Sequence, residues 1–146
     1  MATKDARLKI SESFCINYFC NIDSFNTLLI YDTISDCGGE LNASCGTIRH
    51  PLSGEKYQNC EVCYWTIRAS APINITFTIL EIEESYDYLD IYDGETDDGR
   101  YYLGKFYGNI TPSVFQASTG AAYMKFASDP SVTYQGFELT WELSGL

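Results

Sequence analysis

Acidic side chains crowd one stretch of this 146-residue chain: Glu81, Glu83, Glu84, Asp87, Asp90, Asp93, Glu95, Asp97 and Asp98, with no lysine or arginine before Arg100. Carboxylates grouped so densely offer hard oxygens to a cation such as Ca2+, which takes about six to eight of them. Their ordinary alternative is a solvated rim. The remaining reactive side chains point away from catalysis. His50, the only histidine, stands in an Arg-His-Pro segment that predicts an exposed turn residue. A histidine-based zinc site would need help from cysteines that are better explained as disulfides. A Cys–His nucleophile would need a reduced thiol in an oxidising compartment. Paired carboxylates of the glycosidase kind would here lie on one loop-rich edge. No phosphate loop or dinucleotide fingerprint is present. The chain reads as non-catalytic.

Composition narrows the partners. A net charge of −11 leaves no basic patch to displace phosphate counterions, which excludes nucleic acid and favours cations or basic proteins. No apolar run approaches the ~20 residues of a membrane span. Six cysteines (15, 20, 37, 45, 60 and 63) form an even set in a small chain. Sequons begin at Asn42, Asn74 and Asn109, each a potential glycan acceptor. Cysteines and sequons together predict a secreted protein or the ectodomain of a larger one. The opening Met1-Ala-Thr-Lys-Asp-Ala-Arg has no apolar signal core.

The carboxylates must be carried by strands. Leu89 and Ile91 recur two apart while Tyr88, Asp90 and Tyr92 take the other face, and Asp93-Gly94 offers a turn. In 73–79 the alternation is strict, with Ile73, Ile75, Phe77 and Ile79 inward and Asn74, Thr76 and Thr78 outward. Phe137, Leu139, Trp141 and Leu143 alternate likewise, and Trp65 and Trp141 read as core. Strand-like segments at 45–48, 64–69, 73–82, 88–92, 100–107, 114–117, 122–127 and 136–143 predict an all-β, antiparallel β-sandwich over residues 37–146. Residues 1–36 form a distinct N-terminal extension whose role is not legible. Within it Cys15 and Cys20 are placed to close a local loop, although six cysteines allow about 15 pairings.

Residues 37–143 resemble a CUB domain, an extracellular jelly-roll-type β-sandwich. The resemblance rests on Cys37-Gly-Gly, Gly46-Thr-Ile-Arg-His-Pro51, Tyr57, Cys63-Tyr-Trp65, Ile75-Thr-Phe77, Tyr86 to Gly94, Leu103-Gly104, Phe126 to Asp129 and Gly136-Phe137, in the family's order. It implies a Cys37–Cys63 disulfide. The family's usual second bridge is absent, because Ser85 and Tyr107 occupy its positions. Cys45 and Cys60 are additions just inside the first bridge, and the expectation is that they pair with each other.

The resemblance also implies one Ca2+ at an end of the sandwich, with Glu83, Asp87 and Asp129 as ligands and Ser131 supplying an oxygen. The segment from Glu83 to Asp87 is shorter than usual, and Glu81 or Glu84 are the substitutes for Glu83. By the same resemblance, such a site receives a Lys or Arg of an extracellular protein, with Tyr86, Tyr88 and Asp90 at its rim. Outward tyrosines (86, 88, 92, 101, 102 and 107) suit protein contact and also stack on sugars. The expected function is therefore a secreted binding or assembly module. Its alternatives are a lectin-like, carbohydrate-binding single domain and a regulatory domain of an extracellular protease.

Overall fold

A computed structural model describes residues 37–109 and 114–145. Ten strands follow in order: β1 Gly39–Asn42, β2 Gly46–His50, β3 Val62–Arg68, β4 Ile73–Ile82, β5 Tyr88–Asp93, β6 Tyr102–Phe106, β7 Gly108–Asn109, β8 Val114–Ala117, β9 Ala121–Ala127 and β10 Gly136–Leu143. They form two five-stranded sheets. The first runs β1-β3-β9-β5-β6; the second runs β2-β10-β4-β7, with β8 also paired to β4. All pairings are antiparallel except β1 with β3. The β-sandwich is thus the one expected. The sequence did not announce β1, whose Gly-Glu-Leu-Asn lacks an alternating apolar face, or the two-residue β7. A short 3-10 turn, Gly99–Tyr101, replaces the start of the strand expected from Arg100.

The two inner faces meet in one core. Trp65 and Ile67 of β3, Leu89 and Ile91 of β5, and Met124 and Phe126 of β9 face Ile73, Ile75 and Phe77 of β4 and Leu139 and Trp141 of β10. At about 25 cal/mol per Å2 of apolar area, burial of these side chains is the main favourable term. Gly46 opposes Trp141 across the β2–β10 ladder, and a Cβ there would meet the indole ring at 2.1 Å. Only a glycine leaves room for the ring at this point of β2. The indole Nε1 then donates to the Ala43 carbonyl at 3.1 Å.

The strict alternation expected along β4 breaks. Ile73, Ile75 and Phe77 are buried, but Ile79 is only half-buried, and Leu80 and Ile82 fill the core instead. A bulge causes this. Phe77 opposes Leu139 and Ile79 opposes Glu138, so Thr78 is the extra residue. Its Oγ1 donates to the Glu138 carboxylate at 2.7 Å. One inserted residue exchanges the faces beyond it. Ile82 thereby ends β4 in the core and Glu83 begins the next loop.

His50 corrects the reading of an exposed turn residue: it is 1% exposed. The ring packs against Trp65, Phe126 and Phe137, and Nε2 lies 2.9 Å from Glu61 Oε2. His50 ends a strand whose first, third and fifth residues face inward, a feature that the Arg-His-Pro sequence alone conceals.

The cysteines follow the expectation in part. Cys37 and Cys63 are bonded. Cys45 is buried and disulfide-bonded, but not to Cys60, which is free and exposed. The topology forbids that pair. His50 at the far end of β2 touches Glu61 at the start of β3, so Cys45 lies a whole strand, roughly 16 Å, from the Cys60 end. A disulfide needs Cα atoms within about 7 Å. The Cys15–Cys20 pair lies outside the described residues.

Candidate cation site

The acidic run does not act as one group, because the strand and its turns separate its members. Arg68 pairs with Glu95 and with Glu40. Asp98 caps the 3-10 turn, and hydrogen bonds from the Arg100 side chain and backbone hold its carboxyl below the usual range. Asp90 points from β5 to the outer face, where it accepts from Tyr102 Oη at 2.7 Å and lies 3.5 Å from Lys105 Nζ.

Asp93 sits at the other end of β5 and is buried. It accepts the amide and hydroxyl of Ser118 at 2.9 and 2.6 Å, and those of Thr119 at 3.0 and 2.7 Å. Burial pushes its carboxyl up, but these four donors outweigh burial and hold it below the ordinary value. Asp93→Asn is therefore expected to cost about 2 kcal/mol near neutral pH, since an amide cannot serve four donors. The lowered folded pKa sets the sign. The wild-type advantage is full above the ordinary Asp pKa of about 3.9 and is lost as pH falls through the lower folded value. Urea unfolding of both proteins between pH 3 and 7 checks this; a pH-independent difference would refute it.

The remaining carboxylates converge. Glu83 follows β4 in the second sheet, Asp87 precedes β5 in the first, and Asp129 follows β9. The chain crosses between sheets here in a short turn closed by the Asp87 amide on the Glu83 carbonyl, with Ser85 at φ +74°. Carboxylate oxygens of all three acids lie within 4.8 Å of one another. The segment that is short in sequence still brings Glu83 and Asp87 together. Neither Glu81 nor Glu84 belongs to the group.

Asp87 is 1% exposed and fully engaged. Its Oδ1 accepts the Asp129 amide at 2.7 Å, and its Oδ2 accepts the Tyr57 hydroxyl at 2.6 Å. Tyr57, itself buried, accepts the Glu83 amide at 3.0 Å, so one phenol fixes two members of the cluster. Burial, reinforced by its bond to Asp87, pushes that phenol well above its normal range. Sequence reading gave Tyr57 only as a matching position; what it holds became visible through the loop before β3. Ser131 reaches the cluster through its amide, which donates to Asp129 Oδ1 at 3.0 Å.

Glu83 is the discordant member. Its Oε2 is buried and accepts no hydrogen bond. Burial, with the negative charges of Asp129 and Asp87, holds its carboxyl above the ordinary value. A buried acceptor without a donor and three like charges in contact are what a cation relieves. The residues fit one. Of the expected rim, Tyr86 is 65% exposed in the turn between Glu83 and Asp87. Tyr88 and Asp90 instead lie on the outer face of β5, with the Lys105 ammonium 3.5 Å from the Tyr88 ring centroid.

Comparison with known proteins identifies the family and the fold. The CUB domain profile matches residues 37–141. The chain belongs to the CUB domain family. It is 35% identical over 107 residues to human tolloid-like protein 2, covering 69% of this chain and 10% of that protein. Against Xenopus laevis bone morphogenetic protein 1 it is 32% identical over 118 residues, covering 77% of this chain and 16% of that one. The chain thus spans a small fraction of the curated relatives it matches. Among solved structures, the MASP-1 CUB2 domain bound to Ca2+ superposes with a TM-score of 0.63 at 24% identity, over 73% of this chain and 98% of that one. The zebrafish Gpr126/Adgrg6 extracellular region gives 0.62 at 29% identity, over 74% and 15%. CUB domains are non-catalytic interaction modules of extracellular proteins. Among the described residues no helix is long and apolar enough to cross a membrane.

Proposed function

We propose that this CUB domain is an extracellular binding module that receives a basic side chain of a protein partner at an acidic end organised by Ca2+. The observation that carries the reading is the Glu83–Asp87–Asp129 cluster, with a buried Glu83 oxygen that accepts nothing. Glu83, Asp87 and Asp129 would hold the ion, which would supply the positive charge that three neighbouring carboxylates lack. Tyr57 and the Ser131 amide keep those carboxylates oriented. Asp87, locked by two donors, fixes the position of the site, while Asp129, only half-buried, would be the carboxylate that meets the partner. Tyr86, exposed beside them, forms the aromatic rim.

The test is retention of the protein on an immobilised lysine-bearing peptide, with the Nε-acetylated peptide as control. A surface that is merely acidic binds lysine more weakly once Ca2+ neutralises it. An organised site binds more strongly in Ca2+ than in EDTA, and Asp129→Asn removes the difference. Equal or weaker retention in Ca2+ would overturn the reading.

A further inference from the structure

On the first sheet and its turns, basic side chains sit in two places where a phenol ring and a carboxylate come together. Lys105 Nζ lies 3.5 Å from the Tyr88 ring centroid and 3.5 Å from Asp90 Oδ1. The Arg100 guanidinium carbon lies 5.6 Å from the Tyr101 centroid, and its Nη2 lies 2.7 Å from Asp98 Oδ2. The two attractions reinforce each other, because the face of a phenol is electrically negative as a carboxylate is. The chain fills both of these places with its own side chains.

A third such place holds no cation of the chain. Tyr123 of β9 and Tyr92 of β5 are opposed in register on the outer face, with ring centroids 6.1 Å apart. Tyr64 and Tyr102 continue the row on either side at 6.1 and 5.1 Å. Strand alternation puts the rings there, since the same strands send Trp65, Met124 and Ile91 inward. The carboxylate is Asp97, exposed in the turn after β5. Among the described residues no lysine or arginine lies within ion-pair distance of Asp97, and none lies over the Tyr92 or Tyr123 ring. Lys125 does not fill the place, because it stands opposite Asp90. Burial, then Asp90 and Asp97, push the Tyr92 phenol up, and Lys125 opposes them less strongly. At Tyr123 burial is followed by Tyr64 and Asp97, again ahead of Lys125. Carboxylates outweigh the ammonium at both rings.

Charge and shape select the occupant. Two copies of this chain, each with a net charge of −11, would repel. The row crosses three strand gaps, so the patch is on the order of 300–400 Å2, against the roughly 800 Å2 per partner of a standard protein interface. It suits one side chain and its neighbours on an extended segment. Arginine fits better than lysine, because its planar guanidinium lies flat on a ring and keeps its edge donors for a carboxylate and for phenol oxygens.

We infer that this face binds an arginine-bearing segment of a protein partner, with the guanidinium on Tyr92 and Tyr123 and its donors on Asp97. The site needs no Ca2+ and is independent of the Glu83–Asp87–Asp129 cluster. The experiment is NMR titration of the whole chain, in EDTA at low salt, with an acetylated and amidated Gly-Ser-Arg-Ser-Gly peptide. The same peptide with citrulline or lysine in place of arginine is the control. Saturable shifts are expected on β9, β5 and the turn at 94–98, and the neutral citrulline peptide is expected to bind about fivefold more weakly. The lysine peptide falls between the two. Asp97→Asn is expected to bring the arginine peptide down to the level of citrulline. Tyr123→Leu, which keeps an apolar side chain without a ring face, is expected to weaken it. Both residues lie outside the core, and the amide spectrum of each variant verifies that the fold is intact. Asp87→Asn is expected to leave arginine binding unchanged, so failure of the cation reading and failure of this one are separable. No saturable binding, equal binding of the arginine peptide and either control, or arginine binding that survives Asp97→Asn would overturn it. So would self-association abolished by the same substitutions, which would put a second copy on this face.

Discussion

Ca2+ at about one hundred times its dissociation constant is expected to raise the melting temperature of this CUB domain by about 10 °C. An ion bound only by the folded state stabilises by about 2.7 kcal/mol at that ratio, and each kcal/mol moves a domain of this size by several degrees. The more discriminating result concerns Glu83→Gln. In EDTA this variant is expected to melt above the wild type. It removes one of three like charges in contact, while its amide places a donor beside Asp87 and Asp129. In Ca2+ the order reverses, because the variant has lost an anionic ligand. Glu84→Gln, on an exposed residue outside the cluster, is expected to change neither value. Differential scanning calorimetry with and without EDTA reads all of these. A Glu83→Gln variant less stable than wild type in EDTA would mean that the buried oxygen is satisfied and that the cluster is a structural network.

The second large effect separates the two cysteine arrangements. Breaking Cys37–Cys63 with paired alanines is expected to cost about 3.5 kcal/mol, from the chain entropy of a loop with sequence separation 26. Cys60→Ser is expected to be neutral within about 0.5 kcal/mol, because the residue is exposed and free. Had Cys60 bridged Cys45, the closed loop of 15 residues would have made that substitution cost about 3 kcal/mol. Denaturant unfolding under non-reducing conditions distinguishes these outcomes. A loss above about 2 kcal/mol for Cys60→Ser would refute the arrangement described here.

Local pattern served well where each strand's own alternation decided its face. The inward sets of β5 and β10, both core tryptophans and the sandwich class were legible because period-2 patterning is written in consecutive residues. It failed where a neighbouring strand intervened. The bulge at Thr78 depends on the register of β10, and no feature of 73–82 announces it. The burial of His50 depends on Trp65, Phe126 and Phe137 closing over it from three other strands and on Glu61 reaching its ring. The Cys45–Cys60 expectation treated proximity in sequence as proximity in space. The full length of β2 separates those residues.

For the site, the sequence by itself determined which residue types were available: an acidic run with no cation near it, and an Asp-Pro-Ser turn some forty residues later. The family pattern chose Glu83, Asp87 and Asp129 among these acids. Tertiary structure decided what each carboxylate does. Asp93 became a turn cap, Asp90 an element of the tyrosine face, and Asp98 a 3-10 cap. Only the crossing between sheets brings Glu83, Asp87 and Asp129 within 4.8 Å, with Tyr57 tying the first two. The physical reason is that composition sets how much charge a chain carries, whereas whether charges repel, pair or converge depends on distances that strand register and loop closure alone fix.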